Sequence, residues 1–569
     1  MERRVLLAIT LSFLVLFAFQ AFFAPAPPPA SNTTVATAVT PPTAAASGAS
    51  VTVPPVVPPA NPSTLVVGDT EEREIVVETQ TVRAILTNRG GRVRHWILKD
   101  YKSEANEPLD LVPEVIPAGT PYPFSLRIDD AASTTRLNDA FYRVTGTTSS
   151  TVDATAAPTT LTFELETAEG LRARKIFSFE PSSFIVSFSA TVQQGTQTVN
   201  PSVDWGPGLG DDIARTAPGS FFSPAYLYKA QAIYYQDGEV VRIPASSLGS
   251  ETVREGQFRW AGVDDHYFIS AIIQPPFPLR LEYQPVSIPA QTPPLIGSYV
   301  AYSARFPAPP ENVKYYIGPK QLDATRSIDP EFTRAIYFGM FAWLAAPLLD
   351  ALRWVHSFVG DWGWSIIVLT ILINLALAPL RHRSVVSMRK MQELQPHMKA
   401  IQERYAKYKI TDPERQKMNT EVMELYKSRG VNPASGCVPM LLTMPFLFAF
   451  YAMLGQAIEI RGEGFAWIPD LSRADPLYIT PALMGLSMFW QMRITPSTAD
   501  PTQQKIMMFM PIMITVTMLF APAGLVIYWL VSNIWTIGQQ YFTNSMLGPP
   551  RVPGAGQKSL KDSKPSKEK

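Results

Sequence analysis

Polar side chains set into apolar runs are the chemistry this chain has to offer. Thr370, Asn374, Cys437, Thr443, Ser532, Asn533, Thr536, Gln539 and Gln540 interrupt stretches about as long as a membrane span. Residues of this kind hydrogen-bond and hold water, and none stands beside a base that would make it a nucleophile. The sequence carries no glycine loop for phosphates and no metal-ligand spacing, so no metal and no cofactor is expected. Cys437 is the single cysteine, which excludes an internal disulfide and reads as a small apolar helix residue. Upstream, His95, His266 and carboxylates such as Asp264 and Asp265 show no catalytic arrangement. The residues point to machinery that binds and moves a partner, not to an enzyme.

The elements that position those polar residues are apolar runs of about 16 to 20 residues. They lie at Gly363 to Leu380, Ser435 to Gly455, Leu477 to Met492, Ile506 to Ala521 and Leu525 to Tyr541. Arg381 and Arg383, then Arg493 and Lys505, put the ends they flank in the cytoplasm, as does the lysine-rich tail. The loop with Glu459, Glu463, Asp470 and Asp475 falls outside. With an N-terminal span, six helices result, with both chain ends cytoplasmic. Two of the runs have only 16 residues, roughly 24 Å of helix against a hydrocarbon core of about 30 Å, which thins the bilayer locally. The polar residues then sit at mid-depth or toward the cytoplasm, as a wet half-channel closed on the outside. Met440, Met444, Met484, Met488, Met507, Met508, Met510 and Met513 either line it softly or fill the core.

The rest of the chain divides by composition. Residues 1–24 form a signal anchor, with Arg3 and Arg4 before an apolar run. Residues 25–64, rich in Pro, Ala and Thr, form a disordered tether. Short β-branched and aromatic runs between turn residues predict an all-β sandwich over 65–325, a scaffold or docking module. An amphipathic interfacial helix is expected over 329–360, broken at Pro347. The core, 361–541, contains a basic insert at 381–430 with twelve Lys/Arg against six Asp/Glu. Met391, Leu394, Met398, Ile401, Tyr405 and Tyr408 step by 3 and 4, and Met418, Val422 and Leu425 continue beyond Asp412-Pro413. That spacing predicts an antiparallel helical hairpin reaching into the cytoplasm. Residues 542–569 form a basic cytoplasmic tail.

Six stretches carry a family resemblance: "DWGWSIIVLT", "MELYKSRGVNPASGC", "PMLLTMPFLFAFYAML", "DPLYITPALMG", "DPTQQKIMMFMP" and "PAGLVIYWLVSNIWTIGQQ". They resemble the YidC family of membrane protein insertases, relatives of the Oxa-type insertases. More weakly, "LTNRGG" resembles the large periplasmic domain of Gram-negative members. The resemblance implies a hydrophilic groove that takes the polar flanks of a nascent inner-membrane protein while its apolar segment slides into lipid. On this chain the groove's threonine matches Thr370 and its aromatic pair Tyr528 and Trp529, with Ser532 and Asn533 beside them. The family's groove arginine aligns with Asn374, which hydrogen-bonds but does not attract acidic groups. An electrostatic pull then requires Arg381 or Arg383 to reach inward. Arg381, Arg383, Arg389, Lys390, Lys399, Arg404, Lys407 and Lys409 form the basic mouth and hairpin.

Implied partners are nascent membrane proteins, the Sec translocon, the lipid bilayer, and the ribosome or targeting factors, with no specific DNA binding. Two other classes compete. A small-solute channel or transporter suits a polar half-channel, but not the basic hairpin or the lack of buried acids. A membrane-tethered carbohydrate enzyme lacks a catalytic constellation.

Overall fold

The computed structural model describes residues 65–547 except 104–105, 114–115, 118, 148, 210–229, 250–251, 288–297, 409–411, 431–437 and 496–500. The signal anchor, the tether, Lys409, Cys437 and the tail from residue 548 lie outside the described residues.

Alternation builds the β domain. Along Leu171–Phe179 every second residue is buried, and this row pairs with Thr159–Thr167 on one side and Ile185–Gln194 on the other. These strands run within an eleven-stranded sheet whose path continues through Val313–Pro319, Phe268–Ile273, Trp260–Asp264, Gln231–Gln236 and Glu239–Pro244. A five-stranded sheet packs across its face, and Phe124 joins the two by meeting Phe177, Phe188, Tyr315 and Trp205. A third sheet, which includes Arg92–Lys102, adds Trp96, stacked on Phe179 with its indole donating to the Ile317 carbonyl at 2.9 Å. The two-sheet sandwich is therefore the centre of a larger three-sheet body, and it carries one short helix, α1 (Ala131–Asp139).

Lys175 falls in the inward row of an apolar strand, and the turn at Asn88-Arg89-Gly90-Gly91 explains it. Gly90 and Gly91 have φ of +72° and +54°, a conformation that suits glycine, and it turns two carbonyls inward. Lys175 Nζ donates to both, at 2.6 and 3.1 Å, and to the Phe124 carbonyl at 2.8 Å. A buried ammonium is tolerated because three acceptors meet it.

Between the β domain and the helical region come α2 (Leu322–Ile328), 3-10 turns at Pro330–Ala335 and Gly339–Phe341, and α3 (Ala342–Val359). Helix α3 runs through Pro347 instead of breaking there. The proline stands in the second turn and removes one helical hydrogen bond, which the remaining turns outweigh. The helix buries Ala345, Leu348, Leu349, Leu352 and Val355 and exposes Trp343, Trp354 and Phe358. That pattern suits a helix lying in an apolar interface.

Helix α4 (Trp362–Arg404) is one continuous element, where a span ending at Pro379 and a separate hairpin arm were expected. Asp361 caps its start by accepting from the Trp364 amide at 2.8 Å. Pro379 withdraws one amide from the ladder, leaving the Leu375 carbonyl without its helical donor, and the helix runs on; Gln539 Nε2 of a neighbouring helix donates to the Ala378 carbonyl nearby at 2.8 Å. At 1.5 Å per residue the helix is roughly 65 Å long and carries both Asn374 and the hairpin arm, with Pro396 as well as Pro379 inside it. The hairpin closes on α5 (Pro413–Ser428), capped by Asp412, with Met391, Leu394 and Tyr426 buried between the arms and Met398, Val422 and Leu425 packed against them.

Four helices complete the region: α6 (Val438–Gln456), α7 (Ile479–Ile494), α8 (Pro501–Met518) and α9 (Ala523–Leu547). Asp475 fixes the start of α7 by accepting from the Thr480 amide (2.8 Å) and hydroxyl (2.9 Å), and the Leu471 and Arg473 carbonyls take the first amides of α9. Among the described residues, α4 is the one helix long and apolar enough to cross a membrane by length and hydropathy; Met444–Gln456 and Met508–Met518 are shorter apolar stretches.

Helices α7 and α8 approach at Gly485, where an added Cβ would lie 2.1 Å from Thr515 Oγ1. Gly485→Ala is expected to lower thermal stability by about 1–3 kcal/mol. Thr515→Ala in the same chain should recover most of that loss. Unfolding in detergent, followed by circular dichroism, checks both.

Candidate functional site

Helices α4 and α9 carry the polar residues to one seam. Thr370 and Asn374 are one turn apart, and so are Ser532 and Thr536, so each pair shares a helix face. Thr370 Oγ1 donates to the Ile366 carbonyl at 2.6 Å, and Asn374 Nδ2 donates to the Thr370 carbonyl at 2.8 Å. The Asn374 Oδ1 is thereby left pointing away from its own helix, toward α9, where Ser532 Oγ approaches it at 3.4 Å.

Arg381 completes the cluster. It stands seven residues after Asn374, about 10 Å further along the axis on the same face. Its Nη1 donates to Asn374 Oδ1 at 2.7 Å and to Thr536 Oγ1 at 2.9 Å. Among the described residues, no salt bridge joins Arg381 to a carboxylate. Its guanidinium is half-buried and keeps further N–H groups to donate.

The other expected groove residues divide. Tyr528 is buried and stacks on Phe450 of α6, with ring centroids 4.1 Å apart and planes 11° apart, so it seals α9 against α6. Trp529 packs against the apolar core of the helical region. Asn533 lies about 100° around α9 from Ser532 and binds Ser487 Oγ of α7 at 3.0 Å, which makes it a helix–helix contact and not part of the Arg381 cluster.

The basic residues divide as well. Arg389 turns inward and donates to Asn544 Oδ1 at 2.5 Å. Arg404 pairs with Glu421 at 3.0 Å, and Lys407 sits 5.1 Å above the Tyr408 ring. Arg383, Lys390 and Lys399 are exposed. The methionines do not form one lining: Met484 is fully buried in the core, whereas Met508, Met510 and Met513 are exposed. Met508 and Met510, two residues apart, point about 200° apart around α8.

The sequence reading missed Asn544, which also accepts from Gln540 at 3.0 Å, and His382, whose Nδ1 meets Thr543 Oγ1 at 3.3 Å. For Asn544 a signal was available: Thr536, Gln540 and Asn544 repeat every four residues, the last of them just beyond the expected end of the last span. Helix α8 packs on α7, and α6 packs on α3, α4 and α9, but α6 and α8 share no extended contact among the described residues.

Comparison with known proteins bears on this arrangement. The family described as 60Kd inner membrane protein matches residues 354–549, and the YidC periplasmic domain family matches residues 74–351. A protein of Oleidesulfovibrio alaskensis described as membrane protein insertase YidC is 36% identical over 500 residues, covering 84% of this chain and 88% of that protein. One of Geobacter metallireducens with the same description is 32% identical over 565 residues, covering 96% and 99%. A solved structure titled as an active YidC insertase covers 84% of this chain and 95% of its own, at 16% identity and a TM-score of 0.34.

Proposed function

The chain belongs to the YidC family of membrane protein insertases, and from that premise we propose that Arg381 is the anion receptor of its insertion groove. Members of this family are inner-membrane proteins with a periplasmic domain; they act on nascent membrane proteins and are not enzymes. In this chain a polar flank of the substrate enters the seam of Thr370, Asn374, Ser532 and Thr536 from the cytoplasm. An acidic side chain on that flank meets Arg381, while the substrate's apolar segment leaves through the interval between α6 and α8. The observation that carries this reading is the Arg381 guanidinium, turned onto Asn374 and Thr536 with no ion pair to a carboxylate among the described residues. It offers the charge that Asn374 itself lacks, from two turns nearer the cytoplasm.

The wider arrangement belongs to the same proposal. The N-terminal run, the first half of α4, and α6 to α9 make six spans, with both chain ends cytoplasmic and the β domain outside. The exposed Arg383, Lys390 and Lys399 present a basic surface to the ribosome or targeting factors, and the Sec translocon works beside the groove for longer substrates. A polar seam held by helix–helix hydrogen bonds, with an arginine that makes no ion pair among the described residues, repels a metal cation, which counts against a cation transporter.

Reconstitution of the full chain into liposomes without an energy source tests the reading. A short membrane protein with an acidic translocated tail is synthesised against the vesicles, and protease protection of the tail is scored. Protection above protein-free liposomes is expected, and solute flux without protection would favour a transporter. Deleting residues 390–430 separates the hairpin from the groove, because α4 is continuous and a cut at 381 would remove the receptor too. The shortened chain should bind ribosomes less and still protect tails that reach it.

A further inference from the structure

The outer end of α6 is held by the β domain at three points of different chemistry. The first is a hydrogen bond. His266, in the turn between Trp260–Asp264 and Phe268–Ile273, places Nε2 2.6 Å from the Gly455 carbonyl, one of the last carbonyls of α6. A carbonyl only accepts, so Nε2 carries the proton, and the ring caps a helix end from another domain. The second is a cation–π clasp: the Arg461 guanidinium lies 5.5 Å from the Tyr267 ring and 5.0 Å from the Phe268 ring.

The third contact is an exchange of core residues. In the 3-10 turn Ile458–Ile460 that follows α6, Ile458 is 2% exposed and packs in the core of the β domain. Its neighbours Ala457 and Ile460 pack in the core of the helical region. The connecting segment makes a second attachment. Phe332 and Ala335 bury against Trp260 and Tyr316 of the β domain, and Asp329 takes both arms of Arg259 at 2.6 and 2.9 Å. Leu322, Ile336 and Phe338 of the same segment belong to the helical core. Two separate attachments prevent the β domain from swinging about either one.

We propose that the β domain is a brace for α6: His266, Ile458 and Arg461 fix its outer end and so set the width of the interval between α6 and α8. Helix α6 packs on α3, α4 and α9, and among the described residues it has no extended packing on α8 to fix that width. His266 is on this account a positioning residue, acting on the exit path through α6 without touching substrate. The role of an exit path rests on the groove reading above, whereas the brace itself does not.

Distances between spin labels in the full-length chain in lipid nanodiscs test it, with Cys437→Ser as background. One pair replaces Phe448 on α6 and Ile512 on α8; a control pair replaces Leu375 on α4 and Ile534 on α9, all exposed positions. His266→Ala and Ile458→Asn are each expected to lengthen or broaden the α6–α8 distance by roughly 2 Å or more and to leave the control pair unchanged. His266→Gln, which keeps an N–H at the same reach, should restore the native distance. An unchanged α6–α8 distance in His266→Ala and Ile458→Asn, or equal changes at both pairs, would overturn the brace. Because the readout is a distance, a failure of the groove to insert protein would leave it standing.

Discussion

Arg381→Gln lowers insertion of a substrate with an acidic translocated tail by roughly ten- to a hundredfold and leaves a substrate with a neutral tail within about twofold. The argument is the energy of one charge-assisted contact. A hydrogen bond to a charged group contributes about 1.5–3 kcal/mol, and each 1.4 kcal/mol is a factor of ten. Glutamine removes the charge and, being two bonds shorter, also gives up the bonds to Asn374 Oδ1 and Thr536 Oγ1, so the neutral-tail substrate is the control for any general opening of the seam. Lysine keeps the charge but not the N–H groups that the guanidinium has left once Nη1 bonds both acceptors, and Arg381→Lys should fall between the two. Asn374→Leu removes the acceptor that aims the guanidinium and should cost several-fold with the acidic tail. The decisive variant exchanges the pair: Asn374→Arg with Arg381→Asn returns the guanidinium to the deeper position and should recover most of the acidic-tail insertion. Protease protection of paired tails in proteoliposomes measures each, and an Arg381→Gln chain that handles both tails like the native one rules the receptor out.

That receptor was half legible in the sequence. Thr370, Asn374, Ser532 and Thr536 were readable because polar residues at helical spacing inside apolar runs stand out against their background. The direction of Arg381 was not readable, because an arginine just past a span ordinarily turns toward water and headgroups. What turns it back is the pairing of α4 with α9, which places Thr536 within its reach; that pairing is tertiary and leaves no local trace. Pro379 misled for a related reason. Proline ends most soluble helices, yet here the turns on either side and the packing on α9, where Gln539 bonds the Ala378 carbonyl, outweigh the one lost amide, and the helix continues into the hairpin. In the β domain the alternating strands were legible and the joining of the domains was not. His266 and Ile458 lie nearly two hundred residues apart, and each looks like an ordinary surface or loop residue until the two meet at the end of α6.

The hold on α6 should also depend on pH, with a sign that two residues contest. Burial pushes the His266 ring down to about 3; the hydrogen bond to Gly455 opposes this, and Lys320 and Arg461 reinforce it. Released from α6, the ring titrates near its ordinary value of about 6.5. Between those values the released state binds a proton that the docked state does not, so docking strengthens as pH rises and weakens as it falls through this window. The slope is about 1.4 kcal/mol per unit for one group, and the total is at most about 5 kcal/mol. Glu459, 6% exposed at the same junction, acts in the opposite sense. Burial raises its carboxyl above the usual range, and Arg353, with Nε 3.8 Å away, offsets this in part. The docked state therefore takes up that proton first, and acidification through Glu459 favours docking. Amide exchange of residues 456–461, corrected for its intrinsic pH dependence, separates the two. Protection in the native chain should fall between pH 7 and pH 4; Glu459→Gln should make the fall steeper. His266→Gln should abolish or reverse it, because Glu459 then acts alone, and a fall of native size in that variant would assign the pH dependence to another group.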